Sequence, residues 1–152
     1  MRDRGRKGSK LILWGFAVGF LALGAEIQAR ELVIIANKAY PADSITLEVL
    51  KDIYLGEKTV ERSVRILPVD QEDPMIKKPF VERILGATVQ KYDAYWFHKA
   101  FQDGVVPPVV REASPDVIQF LGREVGAIGY IWKTEALGKP GIKVLLTIEV
   151  GE

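Results

Sequence analysis

Few side chains of this sequence could carry covalent chemistry. The 152 residues include no cysteine and a single histidine, His98, so neither a thiol nucleophile nor a cysteine-based metal site is available. From residue 30 onward the serines are Ser44, Ser63 and Ser114, and none lies in a G-x-S-x-G elbow. We therefore expect no enzymatic activity, no metal and no cofactor. An enzyme that uses His98 is the remaining catalytic alternative.

Polar residues at the ends of predicted strands point instead to the binding of a small anion. In α/β folds, ligands collect outside the carboxyl ends of strands, and these ends read Asn37-Lys38, Asp70-Gln71 and Trp132-Lys133. The lysines favour an anion, whereas the carboxylates at positions 70, 72 and 73 oppose one. The predicted ligand-binding residues are Asn37, Lys38 and Gln71, with Tyr130 or Trp132 as a wall of the site.

The first 29 residues have the pattern of a secretory signal peptide. Basic residues stand at positions 2, 4, 6, 7 and 10, an uncharged apolar run covers 11–25, and Ala29 is the predicted cleavage point, with Ala25 as second choice. The run is shorter than the roughly 20 residues of a membrane-spanning helix. An uncleaved N-terminal anchor is the alternative. We expect one exported domain, residues 30–152, in the periplasm or secreted.

The charge balance argues against nucleic acid as a partner. The chain has 21 basic and 20 acidic residues, and residues 1–29 hold five of the basic and two of the acidic ones. The domain that begins at residue 30 therefore has a formal charge of −2. The strongly basic composition of a nucleic-acid-binding domain is missing.

Hydrophobic patterning predicts a layered α/β domain. Strands are expected over 32–36, 64–69, 127–132 and 142–148, the first of them buried on both faces as in parallel sheets. Helices are expected to begin at the caps Thr46, Thr88 and Ser114, with another helical stretch over 80–85. The order favours a single small α/β domain with a central mixed sheet flanked by helices.

Four local patterns carry more specific expectations. Pro68 predicts a strand end or an edge strand, and the acidic run 70–74 predicts a solvated loop. The string G-A-I-G at 126–129 predicts a tight turn into a closely packed strand. The helix after Thr88 is rich in aromatic residues, for which we expect the core, with a groove or an interface as the alternative. These residues are Tyr92, Tyr95, Trp96, Phe97 and Phe101.

Five segments together resemble a known family. They are V-I-I-A-N-K (33–38), I-T-L-E-V-L-K-D-I-Y-L-G-E (45–57), I-L-P-V-D-Q (66–71), Y-W-F-H-K-A-F (95–101) and G-A-I-G-Y-I (126–131). In this order and spacing they resemble the phosphate ABC transporter substrate-binding proteins, specifically the short members of that type 2 periplasmic-binding superfamily.

The resemblance implies a solute-binding protein linked to phosphate uptake, with a small anion as ligand and a membrane permease as partner. Two lobes of ordinary size need roughly 200–300 residues, so we expect a single lobe. In the family's phosphate binders a loop rich in Ser, Gly and Thr follows the strand matching 66–69. Here D-Q-E-D-P at 70–74 replaces it, and Gln71 is its one neutral donor. The alternative is an envelope interaction or sensing module that has lost the phosphate site. A homodimer is a further alternative for the partner.

Overall fold

Seven strands and five α-helices lie within residues 30–151, the part of the chain that the computed structural model describes. The strands are β1 Glu31–Asn37, β2 Val60–Glu61, β3 Val64–Arg65, β4 Leu67–Gln71, β5 Val109–Arg111, β6 Ala127–Trp132 and β7 Ile142–Glu149. The helices are α1 Leu47–Tyr54, α2 Pro74–Pro79, α3 Val89–Asp103, α4 Ser114–Arg123 and α5 Lys133–Ala136, and α2 continues into a π-helical turn, Phe80–Leu85. The predicted signal peptide lies outside the described residues. Among residues 30–151, no helix combines the length and hydrophobicity needed to cross a membrane.

The central sheet is mixed, as predicted, and has the strand order β5-β4-β6-β1-β7. β4 runs parallel to β5 and β6, whereas β1 runs antiparallel to both of its neighbours, β6 and β7. The prediction of a parallel environment for β1 is therefore wrong, although the strand is buried on both faces. Burial in β1 comes from helices packed on each side of the sheet, and the apolar run reports that burial rather than the direction of pairing.

The predicted second strand divides into two. Val64 and Arg65 form a small hairpin with β2, while Leu67 to Gln71 enter the main sheet. β4 is an interior strand, so the edge position inferred from Pro68 is wrong. Pro68 pairs with Ile128 of β6, and pairing with β5 begins only at Val69. The proline thus precedes the segment that pairs with β5.

Side-chain caps start two of the helices as predicted. The Thr46 hydroxyl accepts the Val49 N–H at 3.3 Å, and the Thr88 hydroxyl accepts the Lys91 N–H at 3.2 Å. At the end of α1, Gly56 adopts a φ of 75°, a left-handed conformation that glycine takes without steric cost.

Ser114 does not cap α4. Ala113 is the N-cap residue and makes no side-chain hydrogen bond, so Ser114 is the first residue within the helix. Its hydroxyl donates to Gln71 Oε1 at 3.5 Å. The predicted cap is wrong because the hydroxyl is directed toward β4 instead of toward its own helix.

The sheet separates two apolar layers. Alternating residues of β1 face opposite sides, with Leu32 and Ile34 toward α1, α2 and α3, and Val33 and Ile35 toward α4. On the first side they join the rings of Tyr54, Phe80 and Tyr130. This packing fixes the strand ends and the helices that surround them.

Gly126 and Gly129 lie where the backbone packs too closely for a side chain, as the G-A-I-G string predicts. A Cβ atom on Gly126 would be 1.9 Å from the Arg65 carbonyl oxygen, and one on Gly129 would be 2.8 Å from Cγ1 of Val117. The Leu67 N–H also donates to the Gly126 carbonyl at 2.9 Å. Close approach at Gly126 therefore aligns the start of β4 with β6.

Gly126→Ala should destabilise the fold by about 1–3 kcal/mol, because the added methyl group collides with a backbone carbonyl. Gly122→Ala in α4 is the matched control, since its Cβ meets no atom within 4 Å. Alanine inside a helix is favoured over glycine, so the control should be neutral or slightly stabilising. Urea unfolding of both variants measures the difference, and equal midpoints would contradict the packing argument.

Candidate functional site

The end of β4 carries a buried carboxylate, Asp70, which is only 4% exposed. Its Oδ1 accepts the Gln71 N–H at 2.8 Å and the Tyr130 hydroxyl at 2.5 Å, and its Oδ2 lies 3.0 Å from Nζ of Lys77. The expectation of a solvated loop is wrong for Asp70. A carboxylate can be buried here because charged and neutral donors converge on both of its oxygens.

Gln71 is buried beside this carboxylate and uses its side-chain amide within the fold. Its Nε2 donates to the Tyr130 carbonyl oxygen at 2.8 Å, and its Oε1 accepts the hydroxyl of Ser114. The side chain has no exposed area. A ligand could use this amide only by displacing these contacts.

Lys77 joins the buried carboxylate to α3. Its Nζ lies 3.0 Å from Asp70 Oδ2 and 3.0 Å from Asp93 Oδ1. Burial acts to lower the pKa of Lys77, but the two carboxylates outweigh it, and the net pKa is raised above its usual value of 10.5. The folded protein therefore holds this proton more tightly than the unfolded chain does.

Tyr130 supplies the hydroxyl donor and an aromatic support. Burial first, and the neighbouring charge of Asp70 second, raise the pKa of its phenol well above 10, so the hydroxyl stays protonated. Its ring stacks on Phe80 with centroids 3.8 Å apart and planes 4° apart. The hydrogen-bonding network of Asp70 and the position of the π-helical turn are thus coupled.

The remaining acidic residues after β4 have different surroundings. Glu72 is exposed, as predicted for this run. Asp73 is the N-cap of α2 and accepts the Met75 N–H at 2.9 Å. The start of α2 is therefore satisfied by a carboxylate of the chain itself.

Asn37 and Lys38 lie at the opposite end of the sheet from Gln71. β1 is antiparallel to β6 and β4 is parallel to β6, so the carboxyl ends of β1 and β4 point in opposite directions. The registers separate Asn37 from the level of Gln71 by about 13 Å along the strands. One small anion cannot contact both ends.

The local contacts of Asn37 are also internal. Its Nδ2 donates to the Leu121 carbonyl at 2.5 Å, and its Oδ1 accepts the Ala39 N–H at 2.8 Å. Lys38 is exposed. The structure thus brings Gln71 and Tyr130 together and leaves Asn37 and Lys38 apart from them. Ligand binding by these four residues stays a prediction.

A basic cleft lies beside the carboxyl end of β6. It encloses about 670 Å³ between α2, the π-helical turn, Trp132 and the residues that follow β7. Its charged lining consists of Arg30, Lys78 and Arg83, with Glu82 as the acidic member. Arg30 and Lys78 form no ion pair with another residue of the described part of the chain. The cleft has the electrostatics of an anion site.

Trp132 forms a half-buried aromatic side of this cleft. The Arg30 guanidinium lies 5.2 Å from the centre of its ring, within cation–π range. Lys133, also considered favourable to an anion, is held by Glu31 at 2.6 Å. Sequence reasoning identified Trp132 but missed Arg30, Lys78 and Arg83, because they come from separate segments. In the sequence, only the strand end at Trp132 indicated the position of this cleft.

The aromatic helix α3 is partly buried and partly exposed. Tyr92 and Trp96 are in the core, and both donate to the Tyr54 carbonyl. Phe97 and Phe101 are 71% and 85% exposed, so the expectation of core positions is wrong for these two. One helix can turn only part of its circumference toward the sheet.

His98 is the residue that the catalytic alternative would use. It is exposed on α3 beside the ring of Phe97. Within residues 30–151, no group of three His, Asp or Glu side chains is placed to hold a metal ion. The polar residues of the site bind one another or line the basic cleft. The arrangement suits binding better than bond making.

Comparison with known proteins bears on the fold. A scan of protein families and a search of curated proteins give no match. Among solved structures, an ABC-type phosphate transport receptor from Vibrio cholerae is similar, with a TM-score of 0.59 and 20% identity over 76% of this chain and 45% of that one. PstS from Borrelia burgdorferi is similar with a TM-score of 0.55 and 16% identity, over 76% of this chain and 46% of that one.

A third similar structure is a putative phosphate ABC transporter substrate-binding protein from Clostridium perfringens, solved with bound phosphate. It has a TM-score of 0.51 and 20% identity over 76% of this chain and 44% of that one. This chain has the fold of one lobe of such receptors. It spans less than half the length of each of the three structures. The predicted resemblance in fold is confirmed.

Lys77→Met should lower the free energy of unfolding by about 3 kcal/mol, because it leaves the buried Asp70 carboxylate without its cation. Lys78→Met is the matched control and should change it by less than about 0.5 kcal/mol, since Lys78 is exposed. Chemical denaturation at pH 7 measures both values.

The pH dependence of the same variants provides a second test. Because the pKa of Lys77 is raised on folding, the stabilisation is fully present below the unfolded value of 10.5 and is lost as pH rises through the folded value. Above pH 7, the difference in the free energy of unfolding between wild type and Lys77→Met should therefore persist to pH 10.5 and narrow only in more alkaline solution. A difference that closes between pH 7 and 10.5 would contradict this assignment.

Proposed function

We propose that this chain is a receptor-type solute-binding protein, and that the lobe formed by residues 30–151 binds a small, phosphate-like anion. The carrying observation is the basic cleft at the carboxyl end of β6, in a fold that similar phosphate receptors share. Arginine and lysine side chains provide the charge-assisted hydrogen bonds that a phosphate group needs. Ligands of open α/β folds commonly bind at strand ends of this kind.

The end of β4 supports an anion less well than the cleft does. An anion beside Gln71 would approach the buried carboxylate of Asp70 in a poorly screened environment, where like charges repel strongly. Every donor in that network is already engaged. In the cleft, by contrast, Lys78 and Arg30 present positive charge to solvent.

The proposal extends to the surroundings of the protein. The signal-like residues 1–29 support export, with a periplasmic or secreted protein as the product. The likeness to transport receptors supports a membrane permease as partner. A homodimer and an envelope partner stay predictions of the sequence, and no nucleic-acid partner is proposed.

Titration of the purified chain with inorganic phosphate at low salt tests the proposal. We expect heat of binding, together with stabilisation of about 2.7 kcal/mol at a phosphate concentration of 100 times the dissociation constant. Lys78→Ala should weaken binding at least about tenfold, the loss of one charge-assisted contact.

Lys38→Ala is the matched variant, because it removes an exposed lysine at the opposite end of the sheet. It should leave the affinity unchanged. If Lys38→Ala weakens binding and Lys78→Ala does not, the site lies at the end of β1 instead. No heat and no stabilisation at millimolar phosphate would overturn the proposed function.

A further inference from the structure

The lining of the basic cleft combines two kinds of chemistry. Three cationic side chains, with Glu82 as the acidic member, are joined by the indole of Trp132 and four apolar residues. Those four are Pro74, Met75, Pro79 and Val150. Met75 is 62% exposed, so a flexible apolar side chain stands at the opening. Inorganic phosphate has no apolar group that these side chains could contact.

The volume of the cleft also favours an organic ligand. A cavity of about 670 Å³ falls within the roughly 300–1,000 Å³ range of sites for small organic ligands. A water molecule takes up about 30 Å³ in the liquid, so an anion of five heavy atoms leaves most of the cleft unfilled. Trp132 is part of the lining of this cleft.

The indole of Trp132 is placed to contact an apolar or aromatic group. Its side chain is half-buried, and the Arg30 guanidinium covers it at 5.2 Å. A planar group entering the cleft could pack on the indole or take the place of the guanidinium, which would then be released toward an anion. Lys78 and Arg83, from α2 and the π-helical turn, line the same cleft and are exposed.

We propose that the cleft takes an organic phosphate, a phosphomonoester whose ester group is aromatic or alkyl, in preference to inorganic phosphate. Lys78 and Arg83 bind the phosphate group, and Trp132 with Met75 packs against the ester group. The inference rests on the proposed function, because it names the class of anion for the same cleft.

Isothermal titration with phenyl phosphate, inorganic phosphate and benzyl alcohol, at one pH and one ionic strength, tests this inference. Phenyl phosphate should bind at least about tenfold more tightly than inorganic phosphate, a difference of about 1.4 kcal/mol. Benzyl alcohol should give no measurable heat, because it lacks the anion. Co-sedimentation with phosphatidate vesicles distinguishes a lipid phosphate from a soluble one. Vesicle binding that phenyl phosphate competes away indicates that the ligand is a lipid-borne phosphate ester. No binding to the vesicles indicates a soluble phosphate ester.

Variants separate the aromatic contribution from the ionic one. Trp132→Ala should abolish the preference for phenyl phosphate, measured as the ratio of the two affinities within that variant, and Trp132→Phe should retain part of the preference. Phe101→Ala, which removes an exposed ring on α3, should change neither affinity. Equal affinities for the two phosphates, or a preference that survives Trp132→Ala, would overturn the inference alone. Absence of binding by either phosphate would overturn the proposed function as well.

Discussion

The structure depends on one buried charge and the donors that surround it. Of the residues that the structure describes, Asp70 is the one buried side chain with a formal charge. The energetic cost of removing a carboxylate from water is offset only while Lys77, Tyr130 and the Gln71 N–H all remain in place. Each of these groups belongs to a different element, so the charge ties β4, β6 and α2 to one geometry.

That geometry decides where a ligand can bind. The strand end that the family resemblance associates with phosphate holds a carboxylate of the chain, with its donors already engaged. The positive charge lies instead in the neighbouring basic cleft, which Lys78 lines. Lys78 follows Lys77 directly in sequence but faces solvent. Two adjacent lysines thus have separate tasks: one neutralises a buried charge, and the other is available to an external anion.

Much of the fold could be predicted from local patterns. Continuous apolar runs located β1 and β6, and the hydroxyl side chains of Thr46 and Thr88 located two helix starts, because these signals involve residues close in sequence. The direction of β1 could not be predicted, since an apolar run is the same in parallel and antiparallel surroundings. The three residues of β5 are too few to show any periodicity.

The site was harder to predict because its parts are distant in sequence. An acidic run ordinarily indicates solvent, and nothing local shows that Tyr130, 60 residues beyond Asp70, donates to that carboxylate. Likewise, Arg30 and Trp132 approach only because β1 pairs with β6. Antiparallel pairing also separated Asn37 from Gln71, which strand-end reasoning had placed together.

The most direct test is a two-dimensional NMR titration of the isotope-labelled chain with inorganic phosphate. We expect shifts of the Lys78 and Arg83 amides and of the Trp132 indole N–H, while the side-chain amide of Gln71 and the amides of Asn37 and Lys38 stay unchanged. Shifts centred on Gln71 and Ser114, with the cleft unaffected, would contradict it.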